Sequence, residues 1–138
     1  MRAALLRAVG DLRWTKTEKP AVSHPNEVLV QVKAVGICGS EVHAYRGTHP
    51  FRKAPTVLGH EMAGVVAEVG SAITEYVPGD RVFVDPQQTC GRCPYCQSGQ
   101  INLCLDKVVL GTPAWPGAFG EYVVAPAQAL FRLPEQLS

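Results

Sequence analysis

Apolar and polar residues alternate most cleanly from Glu27 to Val35. Val28, Val30, Val32 and Ala34 take one side there, and Leu29, Gln31, Lys33 and Val35 the other. A period of two marks a β-strand with at least one buried face. Ala3–Leu6 and Leu12–Thr17 read as a pair of strands around a Gly10-Asp11 turn. Glu61–Val69, dense in valine, predicts a further strand closed by Gly70, and Pro78-Gly79-Asp80 predicts a turn feeding a strand over Arg81–Val84. Gly120–Val124 and Leu130–Leu133 give two late strands. Helical spacing is confined to Ser40–Arg46, one short turn for which Ser40 is the expected cap. Pro134–Ser138 reads as the entry to a further element. About seven or eight short strands without a long helix predict a mainly β, barrel-like domain.

Composition narrows this picture. A chain of 138 residues is one domain, long enough to bury a core. Its 13 glycines and 11 prolines argue against a helical bundle. With 13 basic against 12 acidic residues there is no basic excess for nucleic acid, and no nucleic-acid partner is expected. The longest apolar candidate, Met62–Val66, is far too short to cross a bilayer, so no membrane association is expected. Met1–Arg7 has too little apolar length between its charges for a signal peptide. Thiols suited to metal, with no export signal, point to a reducing cytoplasm.

Four of the five cysteines, Cys90, Cys93, Cys96 and Cys104, are spaced C-x2-C-x2-C-x7-C. Thiols this close can converge on one tetrahedral centre, the closed four-thiolate arrangement of structural zinc. Two disulfides are an alternative, and Cys93-Pro94-Tyr95-Cys96 could be a redox pair. Such a pair normally opens a helix inside a βαβ unit, however, and none is readable here. Four thiolates alone would also accept an iron–sulfur cluster; zinc is the preferred reading.

The fifth cysteine, Cys38, follows a strand end, and Gly59-His60-Glu61 stands just before another strand. A thiolate, an imidazole and a carboxylate on such loops can hold zinc with one position open for substrate oxygen. The residues alone leave a second reading open, with Cys38 as a small core hydrophobe and His60-Glu61 as solvated polar groups.

Gly59-His60-Glu61-Met62-Ala63-Gly64, running on to Gly70, resembles the G-H-E-x2-G-x5-G signature of zinc-containing medium-chain alcohol dehydrogenases. Gly36-Ile37-Cys38-Gly39-Ser40-Glu41-Val42-His43 resembles that family's first-ligand loop, and the four-cysteine stretch its zinc lobe. The resemblance covers the whole chain. It implies a GroES-like β-barrel catalytic domain over residues 1–138, with few short helices and a zinc-bound lobe at 90–104. It also implies one structural zinc on the four lobe cysteines and one catalytic zinc on Cys38, His60 and Glu61. Ser40 and His43 match the hydroxyl and imidazole that relay the alcohol proton to solvent. Glu41 matches a carboxylate, usually Asp, that orients the zinc-bound imidazole. Asp80 and Arg81 match a structural turn.

No G-x-G-x-x-G follows a predicted strand, so no site for NAD or NADP is readable in the chain. The resemblance implies a dinucleotide-binding Rossmann domain that is absent here, and a complete enzyme that is a homo-oligomer. The leading reading is thus the N-terminal catalytic portion of a zinc-dependent NAD(P) oxidoreductase acting on an alcohol, polyol or hydroxy-amino acid, inactive by itself. Its wording leans towards the polyol and threonine dehydrogenase branches. The competing class is a stand-alone zinc-stabilised binding or assembly module without catalysis; Cys38, Ser40, His43 and His60 are residues that such a module would not need.

Overall fold

Strand β3 (Glu27–Val35) lies between two antiparallel neighbours, β5 (Met62–Val69) and β9 (Tyr122–Pro126), in a computed structural model that describes residues 1–137. These strands belong to a five-stranded sheet of order β10-β6-β5-β3-β9, in which β6 is Arg81–Val84 and β10 is Leu130–Arg132. A three-stranded sheet of order β2-β1-β4 is built from β1 (Arg2–Ala8), β2 (Asp11–Lys16) and β4 (Thr56–Val57). A two-stranded ribbon pairs β7 (Gln87–Gln88) with β8 (Val108–Val109). Every strand pairing among the described residues is antiparallel. The helices are α1 (Gly39–Tyr45) and α2 (Pro94–Gln97), with short 3-10 turns at Ile101–Leu103 and Ala127–Ala129. The expected entry to a further element reaches position 138, outside the described residues.

The main core forms where inward positions of the larger sheet meet the segment that follows β8. Val28, Val30, Met62, Val66, Val82, Val84 and Val123 pack there with Leu110, Trp115 and Ala118. Burying a valine-sized side chain contributes about 1.5–3 kcal/mol relative to leaving it in water, so this valine face is a large part of what holds the sheet. Trp115 carries a polar atom into the core, and its indole N–H donates to Val124 O at 2.8 Å. Leu29, on the opposite side of β3 from Val28 and Val30, is equally buried, so the first half of this strand is enclosed on both faces. A smaller cluster of Leu6, Ala44 and Leu58, flanked by Ala54 and Phe119, ties β1 and α1 to the segment leading into β5.

The expected cap of α1 is corrected. Cys38, not Ser40, holds the N-cap position with extended backbone, and Glu41 at the third helical position reaches back to accept the Cys38 N–H at 3.0 Å. A carboxylate in that place satisfies a donor that the helix cannot use internally.

Candidate functional site

Strand register decides which loops meet. Val35 at the end of β3 pairs with Met62 at the start of β5. The chain leaving β3 and the chain entering β5 therefore run side by side, joined by Gly36 N donating to Glu61 O at 2.7 Å. Cys38 lies three residues beyond Val35, and His60 two residues before Met62. The sequence separation between them is spanned by one antiparallel pair.

Cys38, Glu41 and His60 each bring a potential ligand atom to within 4.8 Å of the others. His60 Nδ1 donates to Glu41 Oε1 at 2.7 Å. That bond fixes the ring tautomer and leaves Nε2 as the free, electron-donating nitrogen. Glu41 is only 4% exposed, with its other oxygen accepting from Cys38 N and, at 3.5 Å, from Ser40 Oγ. Glu61 stands apart from this tight set. Its Oε1 is 4.0 Å from His60 Nε2, on a side chain that is more than half exposed. His43 is exposed, with Nδ1 3.2 Å from Thr48 Oγ1. Ser40 and His43 thus sit on one short helix, each hydrogen-bonded to a different neighbour.

Two nearby residues gave no signal in the sequence. Arg52 is 4% exposed, donates from Nη1 to Leu110 O at 2.7 Å, and places the same nitrogen 3.8 Å from Glu41 Oε1. Burial pulls its pKa down, while the charges of Glu41 and Cys38 oppose that shift. His49 Nδ1 accepts from Arg52 N at 3.1 Å, and burial, with the positive charge of Arg52, lowers its pKa. An isolated basic residue in a proline-flanked loop carries no periodic or spacing signal.

A cleft of about 800 Å³ opens beside His60, walled by Phe51, Arg52, Pro86, Lys107, Val109 and Pro113 among others. A separate cleft of about 750 Å³, bounded by Met1, Lys19, Trp115 and Tyr122, contains none of the candidate site residues. Tyr45 and Phe119 do not line the cleft beside His60. Phe119 packs against the smaller core cluster, and Tyr45 is exposed.

The lobe is built locally. All five cysteines are free thiols, and the four at 90, 93, 96 and 104 hold their sulfurs within 4.8 Å of one another. Cys93 caps α2, whose first residue is Pro94. Backbone amides point at sulfur: Cys90 N donates to Cys104 Sγ at 3.3 Å, and Cys93 N to Cys90 Sγ at 3.4 Å. Amides of Leu105 and Cys96 draw the Cys93 thiol down to about 6. Those of Arg92 and Cys93 lower that of Cys90, whereas desolvation, reinforced by the neighbouring thiols, pushes Cys96 up to about 12. Free sulfurs gathered under N–H donors, with some already favouring thiolate, fit a thiolate-binding cation.

Residues 24–135 match the family model described as the alcohol dehydrogenase GroES-like domain. The chain belongs to this family. Over its full length it is 42% identical to the sorbitol dehydrogenase of Bacillus subtilis (strain 168), of which it covers 40%. Galactitol-1-phosphate dehydrogenase from Escherichia coli superposes with a TM-score of 0.93 at 30% identity, covering the whole of this chain and 39% of that one. An alcohol dehydrogenase, RspB, from Escherichia coli CFT073, solved with NADH, gives a TM-score of 0.91 at 40% identity, again over the whole chain and 40% of its own length. The chain therefore spans about two-fifths of these relatives. It is a member of the zinc-containing medium-chain alcohol and polyol dehydrogenases, and its β-rich architecture with a cysteine lobe is the GroES-like one. Among the described residues of this family member, no helix is long and apolar enough to cross a membrane.

Proposed function

We propose that residues 1–138 are the catalytic domain of a zinc-dependent NAD(P) oxidoreductase that moves hydride between a nicotinamide and an alcohol, polyol or hydroxy-amino acid. One observation carries the reading: the 2.7 Å hydrogen bond from His60 Nδ1 to the buried Glu41, made beside the Cys38 thiol. A histidine needs that arrangement to offer a single, oriented nitrogen to a metal. The relatives' names, sorbitol dehydrogenase and galactitol-1-phosphate dehydrogenase, favour a polyol-type substrate.

In this reading Cys38 and His60 Nε2 would hold a catalytic zinc, with Glu61, exposed and 4.0 Å from Nε2, as a further candidate ligand. Zinc there supplies Lewis-acid polarisation of the substrate oxygen. Glu41 keeps the His60 ring from turning. Ser40 Oγ can both donate and accept, so it takes the alcohol proton once released from its 3.5 Å contact with Glu41. His43, an exposed imidazole whose ring nitrogens can accept and donate, passes that proton to solvent. The cleft beside His60, with its apolar Phe51, Val109 and Pro113, limits water around the reacting carbon. Cys90, Cys93, Cys96 and Cys104 hold the structural zinc.

NAD or NADP is bound by a separate dinucleotide domain, so the 138-residue chain alone reduces neither. The complete enzyme is a cytoplasmic homo-oligomer with a small-molecule substrate. The discriminating experiment is Cys38→Ser followed by metal analysis and circular dichroism. Loss of one zinc equivalent with the fold retained supports the reading. Unchanged metal content contradicts it, and so does polyol-dependent NAD(P)H formation by the 138-residue chain.

A further inference from the structure

We infer that Arg52 is a positioning residue for the His60 metal site, acting through Glu41. The inference rests on the metal reading of Cys38 and His60 given above. Arg52, in the loop after α1, and Glu41, on α1, are each 4% exposed, and their charges face one another in the interior. A buried guanidinium is tolerated only when a carboxylate and hydrogen-bond acceptors compensate its lost hydration.

Arg52 is anchored independently of Glu41, by its amide on His49 Nδ1 at 3.1 Å and by Nη1 on Leu110 O at 2.7 Å. The cation therefore has a place that does not depend on the Glu41 rotamer. The Glu41 oxygen nearest to it, Oε1 at 3.8 Å, is the one that accepts the His60 N–H. Glutamate has one more rotatable bond than aspartate, so its carboxylate needs an external constraint to hold one orientation. The amide of Cys38 fixes Oε2, and Arg52 favours the rotamer that turns Oε1 towards His60. His60 Nε2 is then the only ring nitrogen left to a metal. The alternative role for Arg52 is a simple tie between its loop and Leu110, with no consequence at His60.

Cobalt(II) titration of the zinc-free 138-residue chain, followed by visible absorption, separates the two. The cysteine lobe takes one equivalent with a four-thiolate spectrum, and the Cys38–His60 site the second. We expect Arg52→Gln to weaken the second equivalent about tenfold and to change its d–d bands, leaving the lobe spectrum intact. Arg52→Lys keeps the charge and should lose no more than about threefold. In a Glu41→Gln background, adding Arg52→Gln should cost less than about twofold further, because the route through Glu41 is already cut.

Wild-type affinity and bands in Arg52→Gln overturn the inference, and so does a tenfold loss that persists in the Glu41→Gln background. Where Arg52→Gln does not fold, Arg52→Lys carries the test with a second, uncharged variant. It is then compared with Arg52→Met: second-site binding several-fold weaker in Arg52→Met than in Arg52→Lys supports the charge argument, and equal binding in the two overturns it. A wild-type chain that takes up one cobalt only overturns the metal reading itself, and the inference with it.

Discussion

Gly59→Ala is the perturbation whose cost can be worked most completely from the structure. Gly59 has φ +92°, a conformation that L side chains rarely adopt, and a Cβ there would lie 2.6 Å from Phe119 Cδ1 and 2.9 Å from Phe119 N. The backbone contribution is about 1–2 kcal/mol. Because one clashing atom is main chain, Phe119 cannot simply rotate away, and overpacking adds about 1–3 kcal/mol. The sum, about 2–5 kcal/mol, corresponds to a fall in Tm of about 7–17 °C for a chain of this size. Gly79→Ala is the matched control. Its φ is +101°, but nothing lies within 4 Å of the added Cβ. Only the backbone part should appear there, about 1–2 kcal/mol. Urea unfolding of both variants reads the difference directly. Equal losses at the two sites, or a loss below about 1 kcal/mol at Gly59, would refute the steric argument. Equal losses would leave only the positive φ of Gly59 as the reason for a glycine directly ahead of His60.

Three further outcomes follow from the same geometry. In metal-free protein Cys93, whose thiol is drawn to about 6, should alkylate before Cys96 at neutral pH. Its rate should fall as pH drops through that value, because the thiolate is the nucleophile; zinc should protect both, and preferential labelling of Cys96 under mass-spectrometric mapping would contradict the lobe geometry. Asp80 has its carboxyl held below the usual range by the Val77 amide at 2.8 Å and by Arg132, whose guanidinium is 2.5 Å away. A depressed folded pKa gives stability that is present above the ordinary aspartate value and lost as pH falls through the folded one. Asp80→Asn should therefore flatten the acid limb of a stability-against-pH curve, and an unchanged limb would contradict this. Trp115→Phe removes the bond to Val124 O and should cost about 1–3 kcal/mol in urea unfolding.

What was legible in the sequence is what is local. Alternation found β3, whose nine residues are long enough to show a period; density in valine found β5, and the Pro78-Gly79-Asp80 turn marked the start of β6. Strands β4, β7 and β8 are two residues each, too short for any period, and exist because neighbouring strands offer them partners. The lobe could be read directly because its four thiols lie within one short stretch of chain. The second site was visible as two fragments, Cys38 and Gly59-His60-Glu61, but the sequence could not show that register places Val35 against Met62 and so joins them. Glu41 illustrates both sides. Its position in the motif suggested an orienting carboxylate, whereas its capping of α1 and its pairing with Arg52 are tertiary facts. Arg52 itself had no sequence signal, since its partner Leu110 lies 58 residues away.

The central claim is that this chain by itself assembles two metal sites, one from the lobe cysteines and one from Cys38 and His60. Zinc per chain, measured by elemental analysis on accurately quantified protein after exhaustive dialysis, tests it most directly. The account predicts two equivalents. One equivalent, retained by the lobe, would contradict it and show that Cys38 and His60 do not hold zinc in this chain.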